Sequence, residues 1–254
     1  MNSSQPASRR QRLDEMLVER GLFASRSRAR DAVERGTVTV EGAVVRKPGQ
    51  SVLPDARIAV DDPAQAYVSR AALKLIAGLD RFGLDPRGSA ALDIGASTGG
   101  FTQVLLERGA AHVTAIDVGH GQIHPKISSD PRVTVIEGLN ARDLTLADLA
   151  DRRPDFIVSD VSFISLKLAL PPALALAKAG AKAVLLVKPQ FEAGREAIGK
   201  GGLLKNPDDA GRIAEELCGW LDAVPGWRAL GLCPSPIEGG DGNREFLLAG
   251  EKTK

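Results

Sequence analysis

The chain has 254 residues, 43% of them hydrophobic and 26% charged, a composition that excludes disordered and fibrous classes and accommodates one full globular domain plus a small one. Thirty-three Lys and Arg stand against 32 Asp and Glu, a net charge of +1 that by itself selects no partner. The two cysteines, Cys218 and Cys233, lie fifteen positions apart, which excludes a disulfide framework and a Cys-x-x-Cys zinc site.

The distribution of charge says more than its sum. Residues 1–60 hold 11 basic and 7 acidic side chains, leaving 22 basic and 25 acidic in the remainder. A basic module on a slightly acidic body suits a polyanion, and a solvated surface is the alternative. Residues 1–8 are polar and expected to be a disordered tail, without the apolar core of a secretory signal. The most apolar region, 166–187, is interrupted by Lys167, Pro171, Pro172, Lys178 and Lys182, too often for a bilayer-crossing helix. No membrane partner and a reducing, cytoplasmic setting are expected.

Taken in chain order, Leu13, Met16 and Leu17 have helical spacing, and Gly21 stands where that helix would stop. Ser25 is positioned to cap a second helix over 27–34, with Ala29, Ala32 and Val33 facing a core and Arg26, Arg28 and Arg30 elsewhere. Val38 and Val40 alternate with Thr37 and Thr39, and Glu41-Gly42 marks a hairpin turn before Val44. Residues 58–60 suit a further strand. Adjacent guanidinium groups would suit phosphates, since each offers forked donors and a charge that does not titrate. A solvated helix face is the other possibility. The stretches Arg12 to Leu17, Ser25 to Arg30 and Gly36 to Gly42 resemble the small RNA-binding fold of a small-subunit ribosomal protein and of pseudouridine synthases, which implies an RNA-binding module at 9–62 using Arg12, Arg26, Arg28 and Arg30. Residues 63–68 are expected to be a linker, and 69–254 the second domain.

Beyond it, apolar runs at 90–94, 113–116, 133–136, 156–158 and 183–187 alternate with helix-like segments, the pattern of a parallel sheet wrapped by helices. Ligands of such folds bind at the carboxyl ends of the strands. The first run ends in Asp93-Ile94-Gly95-Ala96-Ser97-Thr98-Gly99-Gly100-Phe101, a glycine-rich turn into a helix over 101–108. The second ends at Asp117, placed to accept from a ribose diol about 20 residues beyond the glycine turn. Asn140-Ala141-Arg142-Asp143 follows the third run, where polar groups could meet an adenine edge. These features suit NAD as well as S-adenosylmethionine, although Gly95, Gly99 and Gly100 depart from Gly-x-Gly-x-x-Gly spacing. Asp160 and Lys188 end the fourth and fifth runs. A lysine there is costly to desolvate unless an acid faces it, and the pair is either a structural ion pair or a functional one. Lys74 lies on a helix that Ser69 can cap, where a solvated lysine is the ordinary expectation, and Glu245 sits at the start of a final strand, where a surface carboxylate is.

Together, Val68 to Leu75, Asp93 to Phe101, Asp160-Val161-Ser162-Phe163-Ile164-Ser165, Lys188-Pro189-Gln190-Phe191-Glu192-Ala193-Gly194, Pro234 to Ile237 and Gly242 to Phe246 resemble the TlyA (hemolysin A) family of rRNA 2′-O-methyltransferases, whose catalytic domain is FtsJ-like. The resemblance implies an α/β, Rossmann-like methyltransferase fold with a mostly parallel seven-stranded sheet, preceded by a small α+β RNA-binding domain. It also implies S-adenosyl-L-methionine as cofactor, held by Asp93, Gly95, Ser97, Thr98, Gly99, Gly100, Phe101, Asp117, Asn140 and Ala141, and ribosomal RNA or ribosomal subunits as partner, with cytidine as target. Lys74, Asp160, Lys188 and Glu245 then form a Lys-Asp-Lys-Glu tetrad. Where relatives often carry Arg and Trp, this chain has Gln65-Ala66-Tyr67-Val68, so a tryptophan contact is not expected there.

A ribose hydroxyl is a weak nucleophile, so its proton must be removed or shared while it is aligned with the methyl donor. Lys188 is expected as the base, oriented by Asp160, with Lys74 stabilising the developing oxyanion and Glu245 holding Lys74. Methyl transfer from a sulfonium needs no metal, and His120 and His124, with no third ligand, do not make a site for one. The glycine-rich loop at 194–205, with Arg195 and Lys200, is expected to face the RNA, or else to be disordered surface. A monomer is expected. The rival functions are an NAD-dependent oxidoreductase, a non-catalytic ribosome-binding factor and a membrane-lytic hemolysin.

Overall fold

The structure, a computed structural model, describes residues 10–240 and 242–254, and the tail expected at 1–8 lies outside them. The chain divides after Ala66 into two compact units.

In the first unit β1 (Gln11–Arg12) leads into α1 (Leu13–Glu19), followed by α2 (Arg26–Arg35), β2 (Val38–Val40), β3 (Ala43–Val44), β4 (Ser51–Val52) and β5 (Ile58–Val60). Leu13, Met16 and Leu17 pack against Ala29, Ala32, Val33, Val38 and Val40 in one core, the three-and-four and alternate spacings read from the sequence. Ser25 Oγ accepts from Arg28 N–H, and Gly36 closes α2 in the left-handed conformation. The turn Glu41-Gly42 has positive φ at both residues, 50° and 81°, the geometry that matches strand twist in a two-residue hairpin. The pairing of β1 with β4 was not foreseen, because two-residue strands carry no periodicity.

Residues 63–66, expected as linker, form a 3-10 turn tied to this unit. Gln65 Nε2 donates to Leu22 O at 2.9 Å, and Arg28 to Ala64 O at 3.1 Å. Asp62 caps the turn through Ala64 N–H and accepts a bidentate pair from Arg35 at 2.8 and 2.9 Å. Burial pushes this carboxyl up, but Arg35 and the Ala64 amide outweigh it and hold it below the usual range. Asp62→Ala, which leaves Arg35 without this partner, is therefore expected to destabilise the small unit by about 3 kcal/mol in urea titration. Because the folded carboxyl titrates below the unfolded one, the deficit should be full above about pH 4 and shrink as the pH falls further. A pH-independent deficit would contradict the ion pair's part in it.

In the second unit α3 (Ala72–Phe82) precedes β6 (Ala90–Ile94), α4 (Gly100–Glu107), β7 (His112–Asp117), α5 (Pro125–Ser128), β8 (Val133–Glu137), β9 (Phe156–Ser159), α6 (Leu166–Ala169), α7 (Pro171–Leu176), β10 (Lys182–Val187), α8 (Pro189–Glu192), α9 (Asp209–Ala223), β11 (Trp227–Pro234) and β12 (Phe246–Lys252). One seven-stranded sheet runs β11-β12-β10-β9-β6-β7-β8. Its strands are parallel from β10 to β8, and β12 is antiparallel to both neighbours. Alternation divides the core in two: Leu92, Ile94, Ile157, Leu185 and Val187 meet α6, α7 and α9 on one face, while Ala91, Phe156, Val158, Val184 and Leu186 meet α3 and α4 on the other.

Ser69 does not cap α3 as expected. The helix starts at Ala72 with Ala71 at the cap position, and Ser69 Oγ instead accepts from Ala71 N–H at 3.2 Å, in the turn before it. The helix after the glycine turn spans Gly100–Glu107 rather than 101–108, since Gly99, at φ 94°, holds the cap position.

Candidate active site at the carboxyl ends of the strands

The chain leaves β6 towards β7 on one side and returns to β9 on the other, so a crevice opens between β6 and β9, where ligands of such sheets bind. The glycine turn lies in it. Gly95 has φ 81°, and a Cβ there would stand 2.8 Å from the Asp160 carbonyl oxygen, so only glycine lets the β6 and β9 loops lie together. A cavity of about 410 Å³ follows, walled by Gly95, Ser97, Asp117, Asn140 and Ala141 from the expected set, and by Val118, Gln122, Leu139 and the Asp160–Ile164 loop. Asp117 ends β7 there with its carboxylate fixed by Ser97 N–H at 2.8 Å and Gly119 N–H at 2.7 Å. Asn140 uses its carbonyl to cap the next turn through Arg142 N–H at 3.1 Å.

The other expected cofactor residues stand apart from this cavity. Thr98, Gly100 and Phe101 line a smaller cleft with Ser69 and Asp160, and the Phe101 side chain packs into the core, leaving its backbone for any ligand. Asp93 lies fully buried beneath the turn, accepting from Thr102 Oγ at 2.6 Å, with Oδ1 unpartnered. Burial pushes its carboxyl up to about 7 against the pull of Thr102, and the charges of Asp160 and Asp117 add to the rise. A carboxyl raised on folding stabilises fully below its unfolded value near 4 and loses that contribution as the pH rises through about 7. The melting temperature of Asp93→Asn relative to wild type is therefore expected to climb between pH 4 and 7 and level off above. A difference that does not change with pH would rule out a titrating buried acid.

The four charged residues fall into two pairs. Lys188 Nζ lies 2.6 Å from Asp160 Oδ1 and donates to Ser162 Oγ at 2.7 Å. Lys74 Nζ bonds Glu245 Oε2, and both residues are only 5% exposed, so neither is the solvated group that its local sequence suggests. Strand register explains the assembly. Val187 faces Phe246 across β10 and β12, so Lys188 and Glu245 occupy the next facing positions. Leu185 faces Ser159 on the other side of β10, so Asp160 follows at the neighbouring strand end. Lys74 comes from α3, which packs on the same strands. Two lysine and two acidic side chains thus gather at the carboxyl ends of β9 and β10, with Asp160 in the cavity wall.

A second cavity, about 490 Å³, shares Phe163 and Ile164 with the first and is lined further by Arg142, Gln190, Phe191 and Arg195. Phe163 is 90% exposed with φ 64°, and its ring lies 5.1 Å from that of Phe191. Sequence reasoning missed this aromatic pair, since neither exposure nor a left-handed φ is readable at a phenylalanine. Arg195 and Lys200 are both exposed in the 194–205 loop, which is folded into two 3-10 turns and joined by an Ile198–Leu204 bridge.

In the first unit the arginines separate. Arg12 and Arg26 both reach Asp14 and Glu15. Asp14 is pushed up by burial but pulled further down by these two guanidinium groups. Arg30 is exposed one turn beyond Arg26, whereas Arg28 is half-buried, because two residues along a helix is about 200° around it. Arg26 and Arg30 therefore share one side of α2, and Arg28 lies on another. Among the described residues no group of three His, Cys, Asp or Glu could hold a metal ion, and His124 Nδ1 caps α5 through Lys126 N–H. No helix among them is long and apolar enough to cross a membrane.

Comparison with known proteins places both units. Residues 67–252 match the FtsJ-like methyltransferase family and residues 11–58 the S4 domain. The 16S/23S rRNA (cytidine-2′-O)-methyltransferase TlyA of Mycobacterium tuberculosis is 43% identical over 95% of this chain and 90% of its own length. Hemolysin A of Brachyspira hyodysenteriae is 39% identical over 93% of this chain and 98% of its own. The solved structure of a protein described as a hemolysin, from Streptococcus thermophilus, is 39% identical and superposes with a TM-score of 0.74 over 98% of this chain and 90% of that one. On this evidence the chain belongs to the FtsJ-like methyltransferase family, among its TlyA members.

Proposed function

We propose that this protein transfers the methyl group of S-adenosylmethionine to a ribose 2′-hydroxyl of ribosomal RNA, at a cytidine, acting as a monomer on ribosomal subunits in the cytoplasm. The observation that carries this reading is the gathering of the Lys188–Asp160 and Lys74–Glu245 pairs at neighbouring strand ends beside the β6–β9 crevice. The names of the relatives supply the RNA and the nucleoside.

The cavity's donor set fits the cofactor. Asp117 keeps a free lone pair on each oxygen for a ribose diol, Val118 and Leu139 offer apolar walls beside Asn140 and Ala141, and the glycine turn lets backbone approach closely. When bound there, S-adenosylmethionine supplies an electrophilic methyl group. The chain's own residues prepare the acceptor. Lys188, held by Asp160 and Ser162, acts as the neutral amine, whose lone pair takes the hydroxyl proton and leaves an ammonium facing Asp160. Lys74, fixed by Glu245 in a nearly water-free setting, stabilises negative charge as it develops on the 2′-oxygen. Phe163 and Phe191 present an aromatic face on which a splayed base can stack, and Arg142 and Arg195 flank it with charge for the backbone.

Arg12, Arg26 and Arg30 of the S4 unit, with Arg28 beside them, serve as its RNA contacts, and Lys200 as one from the catalytic unit. Arg26→Ala with Arg30→Ala is expected to weaken RNA binding and to reduce the slope of log affinity against log salt by roughly one to two, with cofactor affinity unchanged. An unaltered slope would remove these side chains from the interface. The reading as a whole is tested by incubating the protein and labelled cofactor with ribosomal subunits from cells lacking the gene. Saturable incorporation into the RNA is expected, and none would contradict it.

A further inference from the structure

Two loops carry Lys188 and Asp160, and a third residue fastens them to each other. Glu192 ends α8, four positions after Lys188. Its carboxylate accepts from Ser165 Oγ at 2.5 Å and from Leu166 N–H at 2.8 Å. Leu166 is 1% exposed and anchored in the core at the start of α6. Ser165 Oγ in turn accepts from Lys167 N–H at 3.1 Å. The carboxylate thus spans from the loop after β10 to the far end of the loop after β9.

We propose that Glu192 is a positioning residue for methyl transfer, clasping the β9 loop to the β10 loop and thereby setting Lys188 against Asp160 and Ser162. Between the strand end at Ser159 and the clasp at Ser165 lie only residues 160–164. Within them Phe163 holds a left-handed φ of 64°, a conformation that an L-residue keeps only where its surroundings enforce it. Phe191, next to Glu192, meets Phe163 on the open side. With the carboxylate gone, Leu166 N–H and Ser165 lose their acceptor and the strained segment can relax, carrying Ser162 and Asp160 away from Lys188 Nζ. Ser165 and Leu166, the partners of the Glu192 oxygens, do not line the cofactor cavity, but the 160–164 segment that they anchor does, so the part of the clasp that acts through Lys188 is read with the cofactor saturating.

The inference rests on the methyltransferase reading above, and one experiment separates the two. Single-turnover methyl transfer to ribosomal subunits is measured at saturating cofactor and RNA, with cofactor and RNA affinities measured alongside. For Glu192→Ala the rate constant at saturation is expected to fall at least about tenfold, a larger factor than the loss in either affinity. Glu192→Gln is expected to stay within about threefold, since the amide keeps an oxygen for Leu166 N–H and donates its NH2 to Ser165 Oγ. A merely structural residue would instead reduce the amplitude, the fraction of active protein, with the rate constant preserved. If Glu192→Ala does not fold, Ser165→Ala, which removes one arm, is expected to slow the step about threefold by the same measure. An unchanged rate constant in the variant that folds, or Glu192→Gln falling as far as Glu192→Ala, would overturn the clasp while wild-type activity upheld the parent reading. An inactive wild type would overturn both.

Discussion

Lys188→Ala is expected to slow single-turnover methyl transfer by about a thousandfold while cofactor affinity stays within about twofold, the size usual for loss of a positioned acid-base group. The side chain is 11% exposed and touches Asp160 and Ser162. Asp160 is itself 19% exposed and can recruit water when its partner is removed, so the variant should remain folded. Measured rates at saturating cofactor and RNA decide the matter. If the variant kept a tenth or more of the wild-type rate, the proton would have to leave by another route, and the assignment of Lys188 would be wrong.

Glu245→Ala is expected to act on stability and on rate together. Lys74 would be left almost fully buried with no acid beside it, and breaking one side of a buried pair costs about 3 to 5 kcal/mol. Transfer should fall about a hundredfold as well, since a lysine free to turn away no longer stabilises the oxyanion. The double variant Lys74→Met with Glu245→Leu separates the two effects. Apolar replacement of both partners is commonly neutral or stabilising, so the melting temperature should recover while the rate does not. Recovery of both would reduce the pair to a structural ion pair, and recovery of neither would show that the site cannot repack.

Much of the fold was legible because its signals are local. The unbroken apolar run at 183–187 states a strand buried on both faces, the spacing of Ala29, Ala32 and Val33 states which side of a helix faces a core, and the packing follows both. The mostly parallel seven-stranded sheet came through family resemblance, whereas the order of strands and the antiparallel β12 were not read, since no residue pattern states which strands are neighbours. At the site, Asp117, Asp160 and Lys188 were readable as charged groups ending apolar runs. Lys74 and Glu245 came only through the resemblance, because each sits in a sequence setting typical of surface and its partner is 171 positions away. Phe163 and Glu192 escaped for the same reason: a ring held open at positive φ and a carboxylate gripping a distant turn are properties of two loops together. The NAD alternative was open at the level of the glycine turn and closed with the match of 67–252 to the FtsJ-like family.

The position of the transferred methyl group tests the central claim most directly. Ribosomal RNA treated with the protein and S-adenosylmethionine is digested to nucleosides and resolved by mass spectrometry. Lys188 at the end of β10 and Lys74 on α3 serving a sugar oxygen require a 2′-O-methylated nucleoside, expected as 2′-O-methylcytidine and absent when Lys188→Ala is used. A methyl group found on the base, with the ribose unmodified, would contradict the account.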